Sequence, residues 1–565
     1  MEKEDHFDIS THFKLPIEYE KEINMINQNI IDDFNFHKDD SPYNKIFDTS
    51  YNLNSLLTSK WNTYFSDNKD FLTNTQSFIE DFKSNHLNEF SSTDDTLYNK
   101  YFEHKNNVGF KEKYEYITWD HLEFVNKNPQ ILQMLTYYSL FTPVINLTIP
   151  VILFLVPFFI IKFVQKREIS FVTYKEQLFK QLKNHSIGKI FSLFSNEITI
   201  NQKIFASISI AFYFFSLYQN SLTCVKFYNN SFEIQGYLYD IKNHLRQGIQ
   251  QIDALIGSYT KLTYFDNYLK YLVERKEKMM GLLDKLSFIT TKDFNYKNFF
   301  DFGKYLDIFY RLRNDEDICD IIYFTFNLQC YINNINSICS LVEDNKINKC
   351  TFIKKRKSQI IKDQYYLYHI FNNDIEPIKN DVKLQNYVIT GPNASGKTTL
   401  LKTTMLNIIF SQQFGYGFYK KAKIVPYKIL NSYINIPDTT GRDSLFQAEA
   451  RRCLEILNNV KENKHSHSFI IFDEIYSGTN PYEASKSGIA FLDVLKRYNV
   501  EFLITTHFKE LTSVDKINNY HMDCKVDNNK LIYSYKFIKG VSNIQGGFNV
   551  LEELQYPKEI IDKLK

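Results

Sequence analysis

The chain has 565 residues, room for about three domains, and its 67 Lys and Arg nearly balance 65 Asp and Glu. Seven cysteines without a C-x-x-C pair fit reduced thiols in a cytosolic compartment better than a disulfide framework. The acidic, polar start MEKEDHFDIS predicts no cleavable signal, and the abundance of Phe and Tyr reads as coding bias rather than function. Charge is unevenly placed. Residues 1–130 hold 24 Asp/Glu against 13 Lys/Arg, and the remainder 41 against 54. A basic body beside an acidic arm permits a polyanionic partner.

Residues 1–130 lack glycine until Gly109 and show no regular apolar period, which predicts a helical or partly disordered acidic region. Residues 131–225 read as a hydrophobic, membrane-associated region. Its strongest part, Val144 to Phe163, is long enough to cross a bilayer and is followed by Lys166 and Arg167. A buried core helix is the alternative. A second charge-free run, Ile204 to Val225, fits a span or a core equally well. The loop between the runs holds seven Lys/Arg and three Glu, as a cytosolic loop would. Two spans would then strand the C-terminal domain away from the cytosol; one span with a buried or surface-lying second run avoids this, and so does a re-entrant first run. No proline occurs between Pro157 and Pro377, and Ile241, Leu245, Ile249, Ile252, Ile256 and Tyr259 step by three or four. Residues 226–375 therefore read as an all-helical body closed by the basic run Lys354-Lys355-Arg356-Lys357, most simply a solvated face.

From 376 to 565 short β-type runs alternate with helical stretches, which predicts an α/β domain with a mainly parallel sheet. The segment Tyr387-Val388-Ile389-Thr390 leads into Gly391, Pro392, Asn393, Ala394, Ser395, Gly396, Lys397, Thr398 and Thr399. This G-x-x-x-x-G-K-T pattern between strand and helix is a phosphate cradle, and it calls for ATP. Lys397 would reach the β- and γ-phosphates, and Thr398 would ligate Mg²⁺. Phe469-Ile470-Ile471-Phe472 then ends in Asp473, a second metal ligand, and Glu474, a general base for the attacking water. The strand Phe502-Leu503-Ile504-Thr505 ends in Thr506-His507, placing an imidazole where a γ-phosphate would lie.

Together TGPNASGKTTLLK, GRDSLFQAE, FDEIYSGTN and TTHFKEL resemble the ATPase domain of MutS-type mismatch-repair proteins, relatives of the ABC ATPases. Lys539-Gly540-Val541-Ser542-Asn543 and Gly547 resemble the closing hairpin of that family. The resemblance covers about 375–565, extends loosely to the helical body as a lever and clamp, and is absent before 225. It implies that Ser444 contacts the nucleotide held by a second MutS-like subunit, in a homodimer or heterodimer. It also implies DNA as a partner, mismatched or branched, with ATP-driven clamping in repair or recombination. No mismatch-reading wedge is legible in 1–225, and little chain follows Tyr556-Pro557 for the C-terminal dimerisation helices many members carry. The expected fold is thus a P-loop ATPase domain preceded by a helical lever and a membrane segment. The expected location is a membrane entered through 144–163, ATPase domain in the cytosol; a soluble cytoplasmic or nuclear protein is the alternative. The competing function is a membrane-bound ABC-type ATPase that powers an assembly or transport process without DNA.

Overall fold

A computed structural model describes residues 8–82, 87–90, 94–182, 199–371, 376–434, 444–527 and 530–544, with scattered positions from 551 to 563. It divides into two compact units. One comprises Met1–Asp95, Gln247–Lys278 and Ile322–Lys565, and the other Thr96–Arg246 and Met279–Ile321. The long helices Ile200–Tyr259, Asp266–Lys285 and Glu316–Glu343 contribute residues to both.

The first unit holds a six-stranded sheet. Its elements are β1 (Tyr387–Thr390), α1 (Lys397–Phe414), β2 (Ile429–Tyr433), α2 (Leu445–Glu462), β3 (Ser468–Asp473), α3 (Pro481–Leu495), β4 (Val500–Thr505), β5 (Asn518–Asp527) and β6 (Lys530–Lys539). The strand order is β6-β5-β1-β4-β3-β2, parallel except for the antiparallel β5–β6 hairpin. β3 is an almost unbroken apolar run because both faces of a parallel sheet are covered. Gly391, which follows β1, and Asp473, which ends β3, therefore emerge at the C-terminal edge of the sheet. A second sheet of five short strands runs in the order Asn380–Lys383, Ile360–Gln364, Lys421–Ile424, Asn348–Phe352, Tyr416–Gly417.

Helix α1 is buried almost all round although it carries Asn407, Gln412 and Gln413. Each of these amides has partners, as buried polar groups require. Gln413 donates to the carbonyls of Trp61 (2.5 Å) and Tyr64 (2.7 Å) and accepts from the Tyr43 hydroxyl (2.9 Å). Gln412 donates to Ser66 O (2.9 Å) and Tyr427 O (2.7 Å). Gln76 reaches across to the carbonyls of Gly415 (2.7 Å) and Cys350 (2.8 Å). Phe47 and Trp61 pack against Phe414, and Tyr43 against Phe410. The acidic arm is thus, from residue 8 to 82, a chain of short helices and turns laid on the helix that follows the phosphate cradle.

The second unit is helical. Helix Phe302–Asn314 crosses the start of helix Pro129–Phe159 backbone to backbone at Gly303, where a Cβ would sit 2.1 Å from Pro129 O. Gln133 locks the crossing, donating to Phe299 O (2.6 Å) and accepting from Gly303 N (2.8 Å). Phe309 gathers rings from Phe110, Tyr114, His104 and Tyr237.

The expected membrane segment is not borne out. Among the described residues no helix is long and apolar enough to cross a membrane. The run 144–163 continues a helix that begins at Pro129 and spends its first turns on protein contacts. Leu132 and Thr136 are buried, and the Ser139 hydroxyl donates to Glu115 (3.0 Å). The run 204–225 belongs to the helix Ile200–Tyr259 beside it, and the Tyr213 hydroxyl donates to Asn146 O (3.2 Å). A membrane location with the ATPase domain hung beneath it falls with the span. So does the fold class in that form: the chain is mainly helical, with two mixed sheets and no membrane-crossing element among the described residues. Hydropathy reports how apolar a stretch is, not which solvent it meets.

One buried carboxylate ties the N-terminal segment to β2. Asp33 accepts from the Ser432 hydroxyl (2.7 Å) and Ile434 N (3.0 Å), with Arg452 of α2 at 3.7 Å and Lys402 of α1 also facing it. Burial outweighs these favourable contacts and pushes the Asp33 carboxyl up to about 6. Because the folded state holds this proton more tightly than the unfolded chain, the stabilisation is complete below the unfolded value of 3.8 and drains away as pH rises through about 6. Between pH 4 and 7.5 the wild type should therefore lose roughly 1–3 kcal/mol relative to Asp33→Asn. Urea midpoints of the two proteins that track in parallel over this range would refute the coupling.

Candidate functional site: a phosphate cradle with paired carboxylates

The loop between β1 and α1 is built from backbone conformations that suit glycine. Gly391 and Gly396 have φ of 153° and 91°, and Ala394 adopts 59°. A side chain on Gly396 would press on the Tyr535 ring at 3.1 Å, so the hairpin β5–β6 fits against a bare loop. Lys397, 5% exposed, folds its ammonium into the loop and donates to the carbonyls of Gly391 (3.0 Å) and Pro392 (3.2 Å). Burial lowers its pKa, opposed by Glu474 and Asp473.

The other predicted residues converge there. The Thr398 hydroxyl donates to Asp473 Oδ2 (2.6 Å), and the other Asp473 oxygen accepts from the Thr505 hydroxyl. Glu474 turns out of the strand at φ 53°, its N–H held by Thr505 O (3.1 Å). Its Oε1 lies 2.8 Å from His507 Nε2 and 3.6 Å from Lys397 Nζ. The His507 contact, more than the Lys397 charge, holds the Glu474 carboxyl below the usual carboxylate range. Thr390 Oγ1 accepts from Ser542 N (2.8 Å), so the segment after β6 closes back on the strand that feeds the loop.

Asn393, Ala394, Ser395, Gly396, Lys397, Thr398, Thr399 and Glu474 line one cavity of about 550 Å³. Part of the lining forms an aromatic end: Tyr365, Tyr366 and His369, with Ile378, complete the cavity, and Tyr535 and Met522 line it beside Gly396. Tyr535 takes a φ of 54°, and its carbonyl accepts from Asn380 Nδ2 (3.0 Å). Sequence reasoning missed this aromatic end. Among 40 Tyr and 50 Phe no single ring stands out, and no spacing rule links 365, 369 and 535.

Ser444 lies elsewhere. It is exposed, caps α2 through reciprocal bonds with Gln447 (3.3 and 2.9 Å), and does not line the cavity. The preceding Gly441-Arg442-Asp443 of the signature and Gly547 lie outside the described residues. Glu449, one turn into α2, is buried within its own subunit and accepts from Ser477 N (3.1 Å), Ser477 Oγ (2.7 Å) and Gly478 N (3.1 Å). It fixes the turn that follows Glu474.

Residues 387–565 match the family model for MutS domain V. This segment is MutS-like. The chain is 29% identical over 208 residues to the DNA mismatch repair protein MutS of Persephonella marina, covering 35% of this chain and 23% of that protein. It is 25% identical over 353 residues to MutS of Phocaeicola vulgatus, covering 60% of this chain and 38% of that one. An endonuclease MutS2 from Streptococcus uberis is 29% identical over 227 residues, covering 38% and 28%. The chain thus spans between about a quarter and two fifths of the length of these relatives.

Removing the Glu449 anchor should loosen the turn beside Glu474. Glu449→Ala leaves two backbone N–H groups without their carboxylate and is expected to cost about 3–5 kcal/mol. A urea midpoint equal to wild type would show that the turn holds itself.

Proposed function

We propose that this chain is a MutS-like ATPase that binds DNA and uses ATP to close a pair of subunits around it in repair or recombination. The observation that supports it best is the contact network of Lys397, Thr398, Asp473, Glu474 and His507, within the segment that matches MutS domain V, with Lys397, Thr398 and Glu474 lining the cavity. The loop N–H groups and the Lys397 ammonium bind the phosphates, and the aromatic end accepts the base. Thr398 and Asp473, 2.6 Å apart at the mouth of the loop, would hold Mg²⁺, which binds through few protein ligands and supplies charge neutralisation at the phosphates. Glu474 stays ionised at neutral pH, orients the attacking water and takes up its proton. His507 holds Glu474 in place and faces the position of the γ-phosphate.

Ser444 is exposed at the N-terminus of α2 and outside its own cavity, which supports a role on the nucleotide of a second subunit. The reading makes a sharp demand on mixtures. Lys397→Ala and Ser444→Ala should each be nearly inactive alone. Mixed in equal amounts they pair at random, and each heterodimer has one doubly damaged and one intact site, so ATPase should recover toward about a quarter of wild type. No recovery on mixing would exclude the composite homodimer.

Glu474→Gln should keep ATP bound while hydrolysis falls about 10²–10⁴-fold. Duplex, mismatched or branched DNA should stimulate wild-type ATPase, with binding that weakens steeply in salt. ATPase indifferent to all three DNAs would sink the repair reading and leave the nucleotide chemistry standing.

A further inference from the structure

The five-stranded sheet offers a basic face that the nucleotide site does not use. Its strands alternate up to the bulge at Asp363. Cys350, Ile361, Val382 and Ala422 point inward and are buried, whereas Lys362, Lys383 and Lys421 point out and are exposed, with Lys423 half-buried beside them. Lys362 lies directly opposite Lys421, while Ile360 pairs with Lys423 on one side and Lys383 on the other. The strand Asn348–Phe352 continues past the sheet into the exposed Lys354-Lys355-Arg356-Lys357.

Like charges placed directly opposite across a ladder destabilise a sheet. Among the described residues, Lys362, Lys383, Lys421 and Lys423 have no acidic partner to offset that cost. The nearby acids are engaged elsewhere: Glu80 with Lys349 (2.7 Å), Asp363 with Lys420 (4.0 Å), and Asp381 with the backbone N–H of Asp363 (2.8 Å). Edge protection, the usual reason for strand lysines, does not apply to Lys362, Lys421 and Lys423. Their strands, Ile360–Gln364 and Lys421–Ile424, are interior to the sheet.

We propose that this face is a docking surface for the sugar-phosphate backbone of duplex DNA, a placement that rests on the DNA-binding reading above. Strands about 4.8 Å apart and outward residues about 6.8 Å apart spread the lysines on a grid that matches successive phosphates. No aromatic side chain projects from the strand residues of this face, so the stacking platform that single strands need is lacking. Contacts are to phosphates alone, so binding is independent of sequence.

The test compares wild type with Lys362→Glu/Lys421→Glu/Lys383→Glu/Lys423→Glu and with the corresponding four Lys→Gln changes. The probe is a fluorescent 30-base-pair duplex, titrated from 50 to 200 mM KCl. Both variants should bind at least 10-fold more weakly at 100 mM, with the salt slope smaller by about 3–4, or 0.9 per lost phosphate contact. The Gln variant relieves like-charge repulsion, so it should melt no lower than wild type, which separates lost binding from lost folding. Wild type that binds duplex while both variants match its affinity and slope overturns this surface and leaves the DNA reading intact. Wild type that binds no duplex overturns both. Tighter binding of duplex RNA than of DNA overturns the assignment of the occupant.

Discussion

The structure depends on one helix being surrounded. α1 begins at the phosphate cradle, so its start must stay in place when an anion arrives, and its body carries Asn407, Gln412 and Gln413 where an amphipathic helix would present a wet face. Those amides are too costly to bury unpaired. Asn407 bonds the nearby Phe418 backbone, but Gln412 and Gln413 find partners in Tyr43, Trp61, Tyr64 and Ser66, more than 300 residues earlier in the chain. The N-terminal segment is therefore the wall that lets α1 keep polar groups inside. Its aromatic contacts with Phe410 and Phe414 add burial to the hydrogen bonds.

The same economy governs the site. Lys397, Glu474 and His507 sit within 3.6 Å of one another in a chain, so each partly neutralises the next. Thr505 supports both carboxylate residues at once, by its hydroxyl to Asp473 and its carbonyl to the Glu474 N–H. Neighbouring strands β3 and β4 thereby fix the spacing between the Asp473 and Glu474 carboxylates.

The phosphate cradle and the two carboxylates were legible in the sequence because their chemistry demands particular residues at fixed intervals. The parallel sheet was legible because buried strands leave continuous apolar runs such as Phe469–Phe472. Three things were not. The arm 8–82 folds as short helices and turns whose apolar residues answer to a distant surface rather than to their own period, so no periodicity marks it. The run 144–163 is apolar enough for lipid, but the helix that carries it begins at Pro129, where Gln133 and Ser139 bond neighbouring segments, and a hydropathy window over the run does not see them. The aromatic end of the cavity lay hidden for a third reason, since three separate segments build it.

The wall around α1 has a consequence for biosynthesis. Asp33 finds Ser432 and Ile434 only across some 400 residues of chain. A ribosome adding roughly 5–20 residues per second leaves the arm without its partners for on the order of 20–80 s. Throughout that interval Tyr43, Phe47 and Trp61 face water. The arm emerges first and is buried last, so the period of greatest exposure to chaperones and proteases is set by chain length before it is set by stability.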